Sequence, residues 1–309
     1  GEVMQYTGNA NKFIWYILIP LIFMFYAYFL FWSETTGDQN DRDSYIAAHQ
    51  ANIVDLKDIY GFILGGSNAA AGISAAIMAE VLDQEWYNLS IGGEGSSDTK
   101  YWNFVKSSTS DESREKVQAV VYSSSSGIRE NTILERNSYI FKIMSSGLNF
   151  LVPSGSIASR IKVYLMGDDA DITASMSKLG DRDLILSKCG ESGAPLIFIN
   201  NKETDKKQLS VWVISQLRVL TGLFPSAEIF FVLPSEFYSN IDLKRSIENA
   251  EAINAAISTF RSNNDAIVTL VNQPSYPSID MLCEDGLHPN PSGRVWRTSN
   301  LLDSFSSIK

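Results

Sequence analysis

A serine that directly follows an apolar run is the first residue of the sequence whose position suggests chemistry. The stretch GFILGGSNAAAG places Ser67 after two glycines and before a series of small residues. A serine hydroxyl is a poor nucleophile unless a neighbouring base takes its proton, and a carboxylate that orients this base makes it more effective. If Ser67 is a nucleophile, the chain must also supply a histidine and a carboxylate.

One of the two histidines in the chain lies close to a carboxylate. In EDGLHPNPSG, Asp285 precedes His288 by three residues, a spacing that lets the carboxylate reach the imidazole from the same side. Glycines and prolines flank His288, which indicates a loop, where functional residues are frequent. The other histidine, His49, lies in an amphipathic stretch and is expected to be structural or on the surface. The candidate catalytic residues are therefore Ser67, Asp285 and His288.

Five short apolar runs and the longer helical stretches between them define the elements that must position these residues. The runs are 59–67, 85–93, 117–125, 228–236 and 266–274, and the helical stretches include 69–82, 209–223 and 241–261. Their alternation predicts an α/β fold with a doubly wound, parallel, five-stranded sheet and helices on both faces. In such a sheet the functional crevice lies beyond the carboxyl ends of the strands. Ser67, Gly93 and the serines at 123–126 are expected at that edge.

Three sequence blocks resemble those of the SGNH, or GDSL-like, hydrolase and acyltransferase superfamily. GGSNAAAG, NLSIGGEG and DGLHPNPSG are similar to its first, second and fifth blocks, and the similarity runs from about residue 59 to the end of the sequence. The resemblance implies that Ser67 is the nucleophile, His288 the general base and Asp285 the residue that orients the histidine. It also implies a flavodoxin-like sheet order.

The resemblance also points to groups that would stabilise an oxyanion. It implies that the backbone N–H of Gly93 is one donor, with the glycines at 92 and 95 as alternatives in register. A further donor is the backbone N–H of Ser67 or Asn68, at the start of the following helix.

The third block departs from the family pattern. The family usually has Gly-x-Asn-Asp after the third strand, whereas this chain has VVYSSSSGIREN and no asparagine at that place. The hydroxyl of Ser126 is one candidate for the missing donor, and Asn131 is another. Loss of an oxyanion donor without replacement costs about 2.7–4 kcal/mol of transition-state stabilisation. A non-catalytic protein with the same fold therefore remains an alternative.

Residues 13–32 form the strongest structural signal in the chain. These 20 residues carry no charge and are rich in aromatic side chains. At 1.5 Å per residue, such a helix matches a bilayer core about 30 Å thick. Lys12 precedes the span, whereas mainly acidic residues follow it, so the positive-inside rule predicts a cytoplasmic N-terminus and an external remainder. A cleavable signal peptide would have a shorter apolar region and a small-residue cleavage site.

The expected organisation has four parts. They are a cytoplasmic tail (1–12), a transmembrane helix (13–32), a juxtamembrane linker (33–55) and an SGNH-like domain (56–309) with an insertion at about 130–192. The insertion is too long for a crossover between strands. It is either a surface excursion with its own small core or a lid or partner-binding platform beside the site.

Composition excludes several function classes. The net charge of −10 argues against sequence-independent binding of nucleic acid, because such binding needs a basic surface. Two histidines and two cysteines are too few for an ordinary transition-metal site, and no cofactor is expected. Cys189 and Cys283 either form a disulfide in an oxidising compartment or remain two buried thiols.

The chemistry and the span together favour an extracytoplasmic O-acyltransferase. An acyl-serine can pass its acyl group to water or to another hydroxyl. By resemblance, single-span SGNH proteins of bacterial inner membranes act beside a multi-span membrane O-acyltransferase and modify an exported polysaccharide or wall polymer. We therefore expect O-acetyl transfer to a cell-surface glycan. The alternatives are an esterase or deacetylase that uses water, and a non-catalytic glycan-binding subunit of an acyltransferase complex.

Overall fold

The computed structural model of the chain contains the predicted sheet, with all neighbouring strands parallel. The structure describes residues 16, 18–20, 45–46, 49, 58–91, 99–124, 176–181, 205–235, 240–283 and 288–306. The strands are β1 (Gly61–Gly65), β2 (Trp86–Asn88), β3 (Ala119–Ser123), β4 (Glu228–Val232) and β5 (Val268–Val271). All five predicted strands are confirmed, each shorter than its apolar run.

Helices flank the sheet and connect its strands. In the part of the chain that the structure describes, the α-helices with described bounds are α1 (Ser67–Gly72), α2 (Ala75–Leu82), α3 (Thr99–Ser108), α4 (Asp111–Lys116), α5 (Lys206–Leu223), α6 (Asn240–Arg261) and α7 (Pro291–Ser306). The predicted stretches 209–223 and 241–261 correspond to α5 and α6. The bounds of these two helices differ from the prediction by three residues or fewer.

The sheet is buried on both faces, as expected of a doubly wound fold. Alternate residues of each strand enter different cores: Phe62 and Leu64 belong to one, and Ile63 belongs to the other. Side chains of α3, α5 and α6 complete the first core, whereas side chains of α1, α2 and α7 complete the second. The predicted arrangement of helices on both faces is therefore confirmed.

The strand order creates a switch point at the centre of the sheet. The order is β2-β1-β3-β4-β5, so the chain leaves β1 for a neighbour on one side and then crosses to β3 on the other side. In open α/β sheets the ligand crevice lies at such a point, beyond the carboxyl ends of the two strands. The residues that follow β1 and end β3 therefore border the expected crevice.

The prediction of one helix over 69–82 is wrong, because the structure has two shorter helices there. α1 ends at Gly72, and Ile73 has extended backbone with φ −127° and ψ 129°. Ser74 then caps α2, since its hydroxyl oxygen accepts a hydrogen bond from the N–H of Ile77 at 3.3 Å. A serine at this position competes with continued helix and favours a new N-terminus.

A buried carboxylate from a distant part of the sequence fixes this break. Asp181 accepts hydrogen bonds from the Ser74 hydroxyl at 2.7 Å and from the backbone N–H groups of Ala75 and Ala76 at 2.8 and 3.0 Å. A negative charge at a helix N-terminus is favourable. Arg294 of α7 forms an ion pair with the same carboxylate at 3.4 Å.

Replacing Ser74 with alanine is expected to lower the free energy of unfolding by about 1–2 kcal/mol, because α2 loses a cap and Asp181 loses a buried donor. Urea unfolding monitored by circular dichroism measures this change. The matched control is Ser299→Ala, at an exposed site on α7, which should stay within about 0.5 kcal/mol of wild type. Equal stability of the two variants would show that Asp181 caps α2 without Ser74.

Several predicted segments lie wholly or mostly outside the described residues. Of the predicted span 13–32, the structure describes only residues 16 and 18–20. Among the described residues, no helix is long and apolar enough to cross a bilayer. The span and the domain boundaries therefore stay predictions. Within the predicted insertion, residues 176–181 are described, and the N–H of Asn88 donates to the carbonyl of Leu179 at 2.8 Å.

Candidate active site

Ser67 stands at the turn from β1 into α1. It is the first residue of α1 and lies two residues after the end of β1. Gly66 is the N-cap residue, with extended backbone and no side chain to cap the helix. The first N–H groups of a helix have no intrahelical acceptor. The turn therefore brings a half-buried hydroxyl and a helix N-terminus to the carboxyl edge of the sheet.

Hydrogen bonds from three neighbouring segments hold this turn. The N–H of Gly65 donates to the phenol oxygen of Tyr101 on α3 at 2.8 Å. The N–H of Gly66 donates to the carbonyl of Ser123, the last residue of β3, at 3.1 Å. The carbonyl of Gly65 accepts from the N–H of Ile91, which follows β2, at 3.1 Å. The backbone before Ser67 is thus fixed on both sides of the switch point.

Backbone contacts also fix the segment that carries His288. Its carbonyl accepts a hydrogen bond from the N–H of Cys283 at 2.7 Å, and Leu282 and Pro289 form an antiparallel bridge. The side-chain oxygen of Asn290 accepts from the N–H of Gly293 at 3.0 Å in the first turn of α7. His288 therefore lies, half-buried, on a short connection that leads directly into α7.

The helix that follows His288 packs against the helix that Ser67 begins. Arg297 of α7 donates to the carbonyl of Asn68 in α1, and Thr298 accepts from the N–H of Ser74 at 3.1 Å. These contacts connect the two segments that carry the candidate nucleophile and base. A hydrogen bond between the side chains of Ser67 and His288 stays a prediction.

The other candidate site residues fall in parts of the chain that are not described. Asp285, Gly93 and Ser126 lie outside the described residues, and so do the alternatives at 92, 95 and 131. The orienting carboxylate and the donors proposed for these positions stay predictions. Asn68 is described and buried, and the hydrogen bond accepted by its carbonyl was not expected from the sequence.

A buried arginine beneath the site is the contact that sequence reasoning missed. Arg297 is fully buried, and its guanidinium also donates to the Ser123 hydroxyl at 2.9 Å and to the side-chain oxygen of Gln273 at 2.7 Å. The sequence holds only a partial signal, because Arg294 and Arg297 lie at helical spacing from the apolar Leu301. In the structure this face of α7 is buried, and it consists of Arg294, Arg297, Thr298, Leu301 and Leu302. A charged residue within such a stripe indicates a buried polar contact.

Two other titratable side chains have structural surroundings. His49 is buried, with its ring against Tyr87 and Phe104 and its Nδ1 atom 3.3 Å from the Tyr87 hydroxyl. Burial raises the pKa of the Tyr122 phenol well above its usual value. Tyr122 donates to the side chain of Gln216 on α5 at 3.3 Å, so it remains a neutral structural donor.

Cys283 is disulfide-bonded. The only other cysteine in the sequence is Cys189, which lies outside the described residues. Within the part of the chain that the structure describes, no group of three or more histidine, cysteine or acidic side chains is arranged to hold a metal ion.

No family model matches the chain, and no curated protein matches it. The chain is similar to solved carbohydrate esterases. A family two carbohydrate esterase from Clostridium thermocellum, in complex with cellohexaose, has 14% identity and a TM-score of 0.44, over 81% of this chain and 64% of that one. An acetyl xylan esterase from the rumen bacterium Butyrivibrio proteoclasticus has 10% identity and a TM-score of 0.41, over 82% and 65%. This chain thus spans less than two thirds of either structure's length. The α/β fold class is therefore assigned from the strand order of this chain and not from these similarities.

Proposed function

We propose that this protein transfers acyl groups through Ser67, with a carbohydrate ester as donor or product. The observation that carries the proposal is the position of Ser67. It starts a helix at the carboxyl end of β1, beside the switch point, on a turn held from three segments. A strand-to-helix turn of this kind supplies both a nucleophile and backbone donors to one place.

The proposed reaction has two balanced steps. The Ser67 hydroxyl oxygen attacks the ester carbonyl carbon while His288 takes its proton, and backbone N–H groups stabilise the tetrahedral oxyanion. The intermediate then collapses to acyl-Ser67, and the departing alcohol receives the proton from His288. In the second step an incoming hydroxyl loses its proton to His288 as its oxygen attacks the acyl carbon. The bond from that carbon to Ser67 Oγ then breaks, and Oγ takes the proton from His288, which restores both residues.

The identity of the incoming hydroxyl separates an acyltransferase from an esterase. We propose a glycan hydroxyl as the physiological acceptor, because the apolar stretch at 13–32 predicts an enzyme tethered at the outer face of a membrane. At such a place an exported polysaccharide or wall polymer is available, and a multi-span acyltransferase is the proposed partner. With water as acceptor the same residues act as a carbohydrate esterase. The similar structures are named as carbohydrate esterases, but their similarity to this chain is too low to support esterase activity here.

The test uses the full chain with p-nitrophenyl acetate as donor, in the presence and absence of cellohexaose as acceptor. Absorbance measures release of p-nitrophenol, and mass spectrometry measures acetylated oligosaccharide. The proposal expects release by wild type and by Ser74→Ala, whose serine lies outside the proposed machinery, but none above background from Ser67→Ala. Acetylated cellohexaose is expected in the wild-type reaction.

The other outcomes identify the alternatives. Ser67-dependent release without acetylated oligosaccharide would favour hydrolysis over transfer. Equal release by wild type and Ser67→Ala would overturn the acyl-serine reaction. If both proteins then supported glycan modification in cells, a non-catalytic binding subunit would be the better description.

A further inference from the structure

Arg297 connects the carboxyl ends of four strands. Its guanidinium contacts Asn68, two residues into the helix after β1, and Ser123, the last residue of β3. Its Nε donates at 2.7 Å to Gln273, two residues after β5, and the Gln273 side-chain nitrogen donates back to the Arg297 carbonyl at 3.0 Å. Ser235, three residues after β4, donates to the same Gln273 oxygen at 3.1 Å.

The neighbouring helix leaves room for this side chain. A Cβ atom added to Gly72, at the end of α1, would lie 2.4 Å from Nη1 of Arg297. Because the guanidinium is bound on three sides, it has little freedom to move away from such an atom. The glycine therefore permits the approach of Nη1 to the Asn68 carbonyl.

Stability alone does not explain a fully buried guanidinium at this place. Removing a charge from water is costly, and apolar side chains of similar volume often stabilise a core as well or better. The planar guanidinium instead supplies several donors in fixed directions, which a lysine ammonium does not reproduce. Three differently placed oxygen acceptors use those directions here.

We propose that Arg297 is a positioning residue for the acyl transfer proposed above, on which this inference rests. By binding the Asn68 carbonyl, it fixes the first turn of α1 relative to the ends of β3 and β5. This contact sets the direction of the Ser67 hydroxyl and of the backbone N–H groups that begin the helix. Because α7 also begins three residues after His288, the same side chain couples the nucleophile to the segment of its base.

The effect of losing this contact is expected in the rates of acyl transfer to and from Ser67 more than in substrate binding. A shift of about 1 Å in a reacting group costs on the order of 10²-fold in rate. Arg297→Lys keeps the charge but loses the planar set of donors, and Arg297→Met removes both. Each is expected to lower the kcat for p-nitrophenyl acetate by about 10- to 100-fold per folded molecule, with KM changed by less than about threefold.

Arg294 offers a matched control on the same helix. It is also buried, but it forms an ion pair with Asp181, whose carboxylate binds the first residues of α2 and not the Asn68 carbonyl. Arg294→Lys and Arg294→Met are expected to lower the thermal midpoint while kcat per folded molecule stays within about threefold of wild type. Circular dichroism of the full chain gives the folded fraction for all four variants.

Backbone hydrogen exchange gives a readout of position that does not depend on turnover. The peptide that spans Gly66 to Gly72 is expected to exchange at least about tenfold faster in Arg297→Lys than in wild type, and at the wild-type rate in Arg294→Lys. Unchanged exchange in Arg297→Lys would overturn the inference, even if the Met variant failed to fold.

The kinetic outcomes separate this inference from the proposed function. If wild type is active and the Arg297 variants have the same kcat per folded molecule, Arg297 is only structural. That result would overturn the inference and leave the proposed function standing. If the Arg294 variants lose as much kcat as the Arg297 variants, positioning of Ser67 is likewise refuted. A wild-type chain without Ser67-dependent release would overturn the proposed function, and the inference with it.

Discussion

Replacing Ser67 with alanine is expected to lower the kcat for acetyl-ester turnover by about 10⁴- to 10⁶-fold, and His288→Ala is expected to lower it as much. The double variant should be no slower than either single one. A nucleophile and its base act as a unit, so once one is removed, the other no longer contributes to the rate. Steady-state release of p-nitrophenol at saturating substrate measures all three variants.

His49 provides the control for the histidine. It is buried against Tyr87 and Phe104, so His49→Gln is expected to change stability while kcat per folded molecule stays within about threefold of wild type. Additive losses from Ser67→Ala and His288→Ala would show that the two side chains act independently. Full activity of His288→Ala would remove this histidine from the mechanism.

Gly65→Ala is expected to lower the free energy of unfolding by roughly 2–5 kcal/mol, through backbone strain and overpacking together. Gly65 has φ +136°, a conformation that residues with a Cβ atom rarely adopt. The added Cβ would lie 1.9 Å from the carbonyl oxygen of Ser123. That oxygen belongs to the neighbouring strand and also accepts from the N–H of Gly66. Relief of the clash must therefore move β1 away from β3 at the candidate site.

Urea unfolding measures this loss, with Gly222→Ala as the matched control. A Cβ atom added to Gly222, near the end of α5, meets no atom within 4 Å. Alanine is the better helix residue, so this variant should be as stable as wild type or up to about 1 kcal/mol more stable. Equal stability of Gly65→Ala and wild type would contradict the close approach of β1 and β3.

The candidate nucleophile illustrates what local sequence can determine about a site. The run GFIL predicts β1, and the small residues around Ser67 predict a tight turn into a helix. Both features depend on neighbouring residues only, and the structure has β1 at Gly61–Gly65 and a helix from Ser67. The partners of this turn depend on contacts across the fold, because Tyr101 and Arg297 are 36 and 229 residues away from the groups that they bind.

The sequence by itself determined the alternation of strands and helices, the parallel α/β class and the position of Ser67 at a strand end. Short-range patterns of apolar and small residues carry that information. Ser74 favours a new helix start locally, but only the tertiary structure showed that the helix breaks there and which groups Arg297 binds. The break depends on a carboxylate 107 residues away in the chain, and the arginine is buried by groups from separate strands. Such contacts form only when distant segments pack together, so the local sequence around a residue does not show which distant residue it will bind.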